Sequence, residues 1–164
     1  MIPSHFMKRE DTVDYNIKTA WHAINRMYNQ EAIKNEITTS IGFVLLNINS
    51  KEGTPATKIA PLIGLESRSL VRMLKSMEER GLICRKADPH DKRLVRIFLT
   101  KKGLQKKEIS RKTVMAFNEK VRGIIDPDEL QVFFKVIQRI NQIVEDNHIQ
   151  PDQVSINPYE ENHK

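Results

Sequence analysis

The sequence predicts a mainly α fold (α+β): a helix-turn-helix with an adjoining β-hairpin, set between longer N- and C-terminal helices. Three observations carry this. Apolar residues recur at three-and-four spacing near both ends of the chain. A short helical pattern, a glycine and a longer helical pattern follow one another from Thr54 to Arg80. Immediately afterwards, two runs rich in β-branched residues flank the charged, turn-forming segment Asp88-Pro89-His90-Asp91-Lys92-Arg93.

Taken in order, Val13, Ile17, Ala20, Trp21, Ile24, Met27 and Tyr28 form one face of a first amphipathic helix over about Asp11–Gln30. Thr38, Thr39 and Ser40 can cap a second helix, Ile41–Ile48, whose run IGFVLLNI is apolar on nearly every side and so belongs at the centre of the core. Thr54-Pro55 reads as the start of a third helix, with a hydroxyl cap and a proline at the first helical position. Pro61 keeps that helix short or kinked, because it removes one backbone hydrogen bond. Gly64 supplies the tight turn, and Leu70, Met73, Leu74 and Met77 mark the buried face of a fourth helix, about Glu66–Arg80, ended by Gly81.

Strands are expected over Leu82–Lys86 and Leu94–Leu99, which makes the hairpin between them the wing of a winged helix. Thr100 then caps a long helix carrying Ile109, Val114, Phe117, Val121 and Ile124 on one side. Asp126-Pro127-Asp128-Glu129 opens the last helix, which runs to about Asp146: an acceptor cap, a proline at the first position and acids where the helix dipole favours them. Its residues Leu130, Phe133, Phe134, Val136, Ile137, Ile140, Ile143 and Val144 cover more surface than one neighbour within the chain needs. The segment after Asn147, polar and holding Pro151 and Pro158, reads as an irregular extension.

The net charge of +6 is unevenly placed. From Thr54 to Lys107 there are 14 Lys or Arg against 5 Asp or Glu, whereas the rest of the chain has 13 against 16. A basic middle third is what a polyanion-binding face needs, because neutralised phosphates release condensed counterions. The lone cysteine, Cys84, cannot form an intrachain disulfide, and no run reaches the roughly 18 apolar residues of a membrane span, so a soluble, cytoplasmic protein is expected. The five histidines show no paired metal-ligand spacing, and no phosphate loop, nucleophile motif or carboxylate pair appears. The expectation is therefore no enzyme, no metal and no cofactor.

In a helix-turn-helix the second helix enters the major groove with its N-terminal residues nearest the bases. Here those are Glu66, Ser67, Arg68, Ser69 and, one turn on, Arg72. Either arginine can donate two parallel bonds to guanine, the serines can bond bases or phosphates, and Lys75 lies where a phosphate contact is expected. Lys92 and Arg93 at the hairpin tip can reach an adjacent minor groove, with Asp91 as an orienting partner. Asp88 and Pro89 are read as turn formers.

Gly81-Leu82-Ile83, Arg85, Asp88-Pro89-His90-Asp91-Lys92-Arg93 and Leu99-Thr100-Lys101-Lys102-Gly103 together resemble the signature of the multiple-antibiotic-resistance regulator (MarR) family. That signature is a glycine-leucine helix end, an aspartate-proline-x-aspartate-x-arginine wing and a leucine-threonine-x-x-glycine helix start. The resemblance implies a transcription regulator, commonly a repressor, acting as a homodimer on a pseudo-palindromic duplex operator. It further implies dimerisation helices over 11–36 and 104–147, a winged-helix DNA-binding lobe over 37–103 and the irregular tail over 148–164. Arg93 would be the minor-groove arginine, and Ser67, Arg68, Ser69 and Arg72 would lie in the groove-reading helix. A small-molecule effector pocket is implied between the dimerisation helices and the lobe, where Trp21, His22, Asn25, Tyr28 and Phe43 are candidates. The family's peroxide-sensing branch uses a cysteine near the first helix, which this chain lacks; Cys84 on a wing strand reads as a small packing residue. The rival reading is a winged-helix module that docks on protein without meeting DNA.

Overall fold

Most helix ends in this chain fall where a side chain or a left-handed glycine can satisfy backbone groups left without helical partners. The computed structural model describes residues 8–89 and 91–146; His90 and the extension expected after Asn147 lie outside the described residues. A short 3-10 turn, Arg9–Asp11, precedes helix α1, Val13–Lys34. Then come α2 (Thr39–Asn47), strand β1 (Thr54–Pro55), α3 (Ala56–Ile63), α4 (Ser67–Glu79), β2 (Ile83–Ala87), β3 (Val95–Leu99), α5 (Lys101–Arg122) and α6 (Pro127–Glu145). The mainly helical winged fold is as the sequence predicts.

Thr38 caps α2 by accepting from the Ile41 N–H at 3.2 Å, and Asp126 caps α6 by accepting from the Asp128 N–H at 2.8 Å. Gly64 and Gly81 adopt positive φ, 63° and 68°, after α3 and α4. In both places the next residue's N–H returns to a carbonyl five positions back, Leu65 to Ala60 at 3.2 Å and Leu82 to Met77 at 2.9 Å. These paired stops delimit the helix-turn-helix. Pro61 sits inside α3, which ends two residues later at Ile63, so the helix is short as expected.

The structure corrects the reading of Thr54-Pro55 as a helix start. These residues form a third, edge strand: Thr54 pairs with Ile97 and Pro55 with Arg96, in an antiparallel sheet of order β1-β3-β2. The Thr54 hydroxyl caps no helix; it accepts from the Asn49 N–H at 2.9 Å and so closes the loop before the strand. Two residues are too few for a periodicity signal, and proline is tolerated here because an edge strand can lack a donor. α1 also runs to Lys34, about a turn past the expected end.

Two compact units divide the chain, Ile24–Glu119 and Met1–Ala23 with Lys120–Lys164. In the first, Val44 and Leu45 of α2 and the C-cap residue Ile48 are fully enclosed together with Ile59, Met77 and Ile97, so α2 is the core's centre as its uniform hydrophobicity predicts. Lys106 and Lys107 of α5 donate to the Asn35 and Ile48 carbonyls at 2.7 and 2.5 Å, bracing the chain just beyond the ends of α1 and α2. Partial burial pushes the Lys107 ammonium below its ordinary pKa. In the second unit Leu130 is the one buried side chain among the described residues. Val13, Ile17 and Trp21 on α1, and Val132, Phe133, Phe134, Val136, Ile143 and Val144 on α6, are exposed.

Candidate nucleic-acid interface

α4 is sharply two-sided. Leu70, Leu74 and Met77 are buried in the core, while Ser67, Arg68, Ser69, Arg72 and Lys75 are all exposed. Glu66 holds the N-cap backbone in an extended conformation (φ −64°, ψ 144°) but makes no side-chain cap, and the first turn carries no acid. Its first N–H donors therefore have no side-chain cap. At the far end, Arg80 donates to the Glu36 carbonyl and Glu78 pairs with Arg85 of β2 at 3.0 Å, tying α4 to the loop after α1 and to the hairpin.

The wing tip is built on two aspartates with different roles. Asp91 grips Arg93 through two parallel bonds, Nε and Nη2 each at 3.1 Å, and also accepts the Arg93 N–H at 3.0 Å. Those bonds hold the Asp91 carboxyl below the ordinary carboxylate pKa and raise that of the Arg93 guanidinium. Arg93 is 89% exposed nonetheless, so its fork is oriented without being covered. Lys92 beside it is exposed as well.

Asp88 forms the turn, accepting the Asp91 N–H at 3.3 Å, and it also holds Arg96. Only 4% exposed, it accepts from Arg96 Nε at 2.9 Å and Nη2 at 2.8 Å. Arg96 also donates to the Glu52 carbonyl at 3.1 Å, so one guanidinium joins the wing, the middle strand and the loop before β1. The register pairs Ala87 with Val95, which brings the next residue of β2's chain beside Arg96. A basic residue on a strand with an acid just past its partner was the signal available for this pair. The Gly53 φ of 67° and its place in that loop follow from crowding: a Cβ there would lie 2.6 Å from the Ile97 carbonyl.

Behind the helix-turn-helix a cleft opens between α1, α2 and α5, lined by Tyr28, Glu31, Ile37, Phe43, Ser110 and Val114 among others. The cleft, partly open to solvent, holds about 30 Å³ of water-accessible space, room for one or two water molecules. Tyr28 stands edge-on to Phe43 and to Phe117, with ring centroids 5.9 Å apart in both pairs, and burial raises its phenol pKa. Of the candidate effector residues, Tyr28 and Phe43 line this cleft; Asn25 does not, and Trp21 and His22 fall in the other unit. Gly42 lets α2 approach α5 here, since a Cβ would meet Ser110 Oγ at 3.0 Å.

The MarR family model matches residues 37–95, the stretch from the end of the α1–α2 loop to the start of β3. An HTH-type transcriptional regulator, TtmR of Methylorubrum extorquens (strain PA1), is 35% identical over 89 residues, 54% of this chain and 46% of that protein. The chain thus spans about half the length of the curated relative it matches. Among solved structures, a Staphylococcus aureus MepR–DNA complex is similar with a TM-score of 0.73 at 19% identity, covering 80% of this chain and 97% of that one. CouR from Rhodococcus jostii RHA1 bound to p-coumaroyl-CoA gives 0.72 at 21%, covering 81% and 94%. Such likenesses establish a shared winged-helix fold. Over residues 37–95, this chain resembles the MarR family.

Proposed function

We propose that the protein is a transcription regulator that binds duplex DNA sequence-specifically as a homodimer, with α4 in the major groove and the Arg93 wing in an adjacent minor groove. One observation carries the reading: an exposed helix face of Ser67, Arg68, Ser69, Arg72 and Lys75 stands beside a hairpin whose outermost arginine is oriented yet uncovered. The bidentate fork of Arg68 or Arg72 matches the acceptors of guanine, and Lys75 and Lys92 suit phosphates. The relatives support the reading, since the curated one is a transcriptional regulator and the MepR structure is a DNA complex. The exposed apolar side chains of α1 and α6 are what a second copy would cover, on a pseudo-palindromic site of matching symmetry.

Action as a cytoplasmic repressor released by a small molecule is the fuller form of the proposal. CouR, solved with p-coumaroyl-CoA bound, shows that a relative of this fold takes a small-molecule ligand. In this chain the cleft beside Tyr28 and Phe43, with about 30 Å³ of water-accessible space, would widen to admit an effector. Its wall at Ile37 and Thr38 adjoins Glu36, whose carbonyl receives Arg80 at the end of α4. Widening would thereby bias the position of the groove-reading helix, and linkage requires the effector to bind the two positions unequally. No described helix is long and apolar enough to cross a membrane.

The test is a mobility-shift assay with the promoter of the protein's own transcriptional unit across a salt series. The expected result is a specific complex whose log affinity falls with log salt at a slope of about −0.9 per phosphate neutralised. Absence of any specific complex at low salt would remove DNA from the reading.

A further inference from the structure

One residue on the exposed face of α4 breaks its polar pattern. Val71 is 59% exposed. It follows Arg68 by three positions and precedes Lys75 by four, so Arg68, Val71, Arg72 and Lys75 share one side of the helix. The other apolar residues of α4 are packed inward, with Leu70, Leu74 and Met77 buried and Met73 half-buried against the core. Val71, by contrast, is more exposed than covered. A β-branched residue on a solvated helix face also gives up χ1 freedom and helix propensity, which alanine, lysine or glutamate there would keep.

What suits an isolated branched apolar group among groove-directed cations is an apolar feature of the groove itself. The major groove offers one, the C5-methyl group of thymine, and apolar side chains discriminate thymine through it. Cytosine lacks that methyl and presents an amino donor beside it, which Val71 cannot accept. We propose that Val71 is a specificity-determining residue that reads the 5-methyl group of one thymine in each half-site. This rests on the DNA-binding reading above. The base lies within reach of the same helix turn as those addressed by Arg68 and Arg72, and the valine contributes by excluding water from the methyl group.

The experiment uses the full chain and duplexes that it selects from a randomised pool. Each thymine of a selected duplex is replaced in turn by deoxyuridine, which removes one methyl and leaves every hydrogen-bonding group in place. For the wild type, one position per half-site should weaken binding about fourfold, the worth of one buried methyl. Val71→Ala, which removes the contact in both half-sites at once, should bind the thymine duplex about sixteenfold more weakly and lose its response to deoxyuridine at that position in each half-site. Alanine favours the helix, so the variant should melt no lower than the wild type. The same deoxyuridine profile in both proteins, or unaltered affinity of Val71→Ala, would overturn the proposal while leaving DNA binding intact. Failure to select any sequence would instead take both readings down.

Discussion

The two units of this chain use the same kind of residue in opposite ways. In Ile24–Glu119, helices at three-and-four spacing turn Val44, Leu45, Ile59 and Met77 into an enclosed core. In the other unit α6 follows the same spacing, yet Phe133 is 55% exposed and Val132, Val136, Ile143 and Val144 are exposed with it. Periodicity tells which residues share a face. It does not tell what covers that face, and a second copy of the chain is the cover proposed above.

The largest effect should come from the enclosed side. Leu45→Ala empties a site with no solvent exposure and should lower unfolding free energy by about 3 kcal/mol in urea denaturation. A change below about 1 kcal/mol would show the packed lobe to be more plastic than its burial implies. Phe133→Asp addresses the open side. It should leave the lobe's melting unchanged but raise the dissociation constant for self-association about thirtyfold or more by sedimentation. A wild type that stays monomeric at every concentration would break the comparison outright.

Smaller effects sharpen a third use of surface, the polar one. Arg93→Ala should weaken operator binding by about 2 kcal/mol with no change in melting, as read by fluorescence anisotropy. Full affinity in that variant would remove the wing from recognition. The smallest effect is in pH. Because Asp91 titrates below the ordinary carboxylate range, its hold on Arg93 persists above that range and is lost only as pH falls through the depressed value. Operator affinity should therefore show no step assignable to this pair between neutral pH and about pH 5, near the ordinary carboxylate range. A step there that vanishes in Asp91→Asn would contradict the assigned pairing.

Much of this architecture was legible beforehand where local chemistry decides it. Asp126 and Pro127 set the start of α6, Gly64 and Gly81 stop helices by left-handed backbone, and Asp91 pairs with Arg93 across a single residue. What escaped was decided by distant contacts. β1 exists because Ile97 and Arg96 offer it a ladder, and nothing in Thr54-Pro55 alone distinguishes strand from helix start. Asp88 is buried because Arg96, eight positions later, folds back on it. Tyr28 and Phe43 line the cleft, and its lining also depends on α5, whose register against α2 no local pattern fixes.

The glycine of the leucine-threonine-x-x-glycine motif carries one more consequence. A Cβ at Gly103 would stand 1.9 Å from the Leu82 carbonyl, which also receives the Thr100 N–H at 3.1 Å. The first turn of α5 therefore rests directly on the peptide where the hairpin begins, backbone against backbone, with no deformable side chain between them. Such a joint cannot absorb displacement. A side chain at this position would push the start of that helix away from the base of the wing.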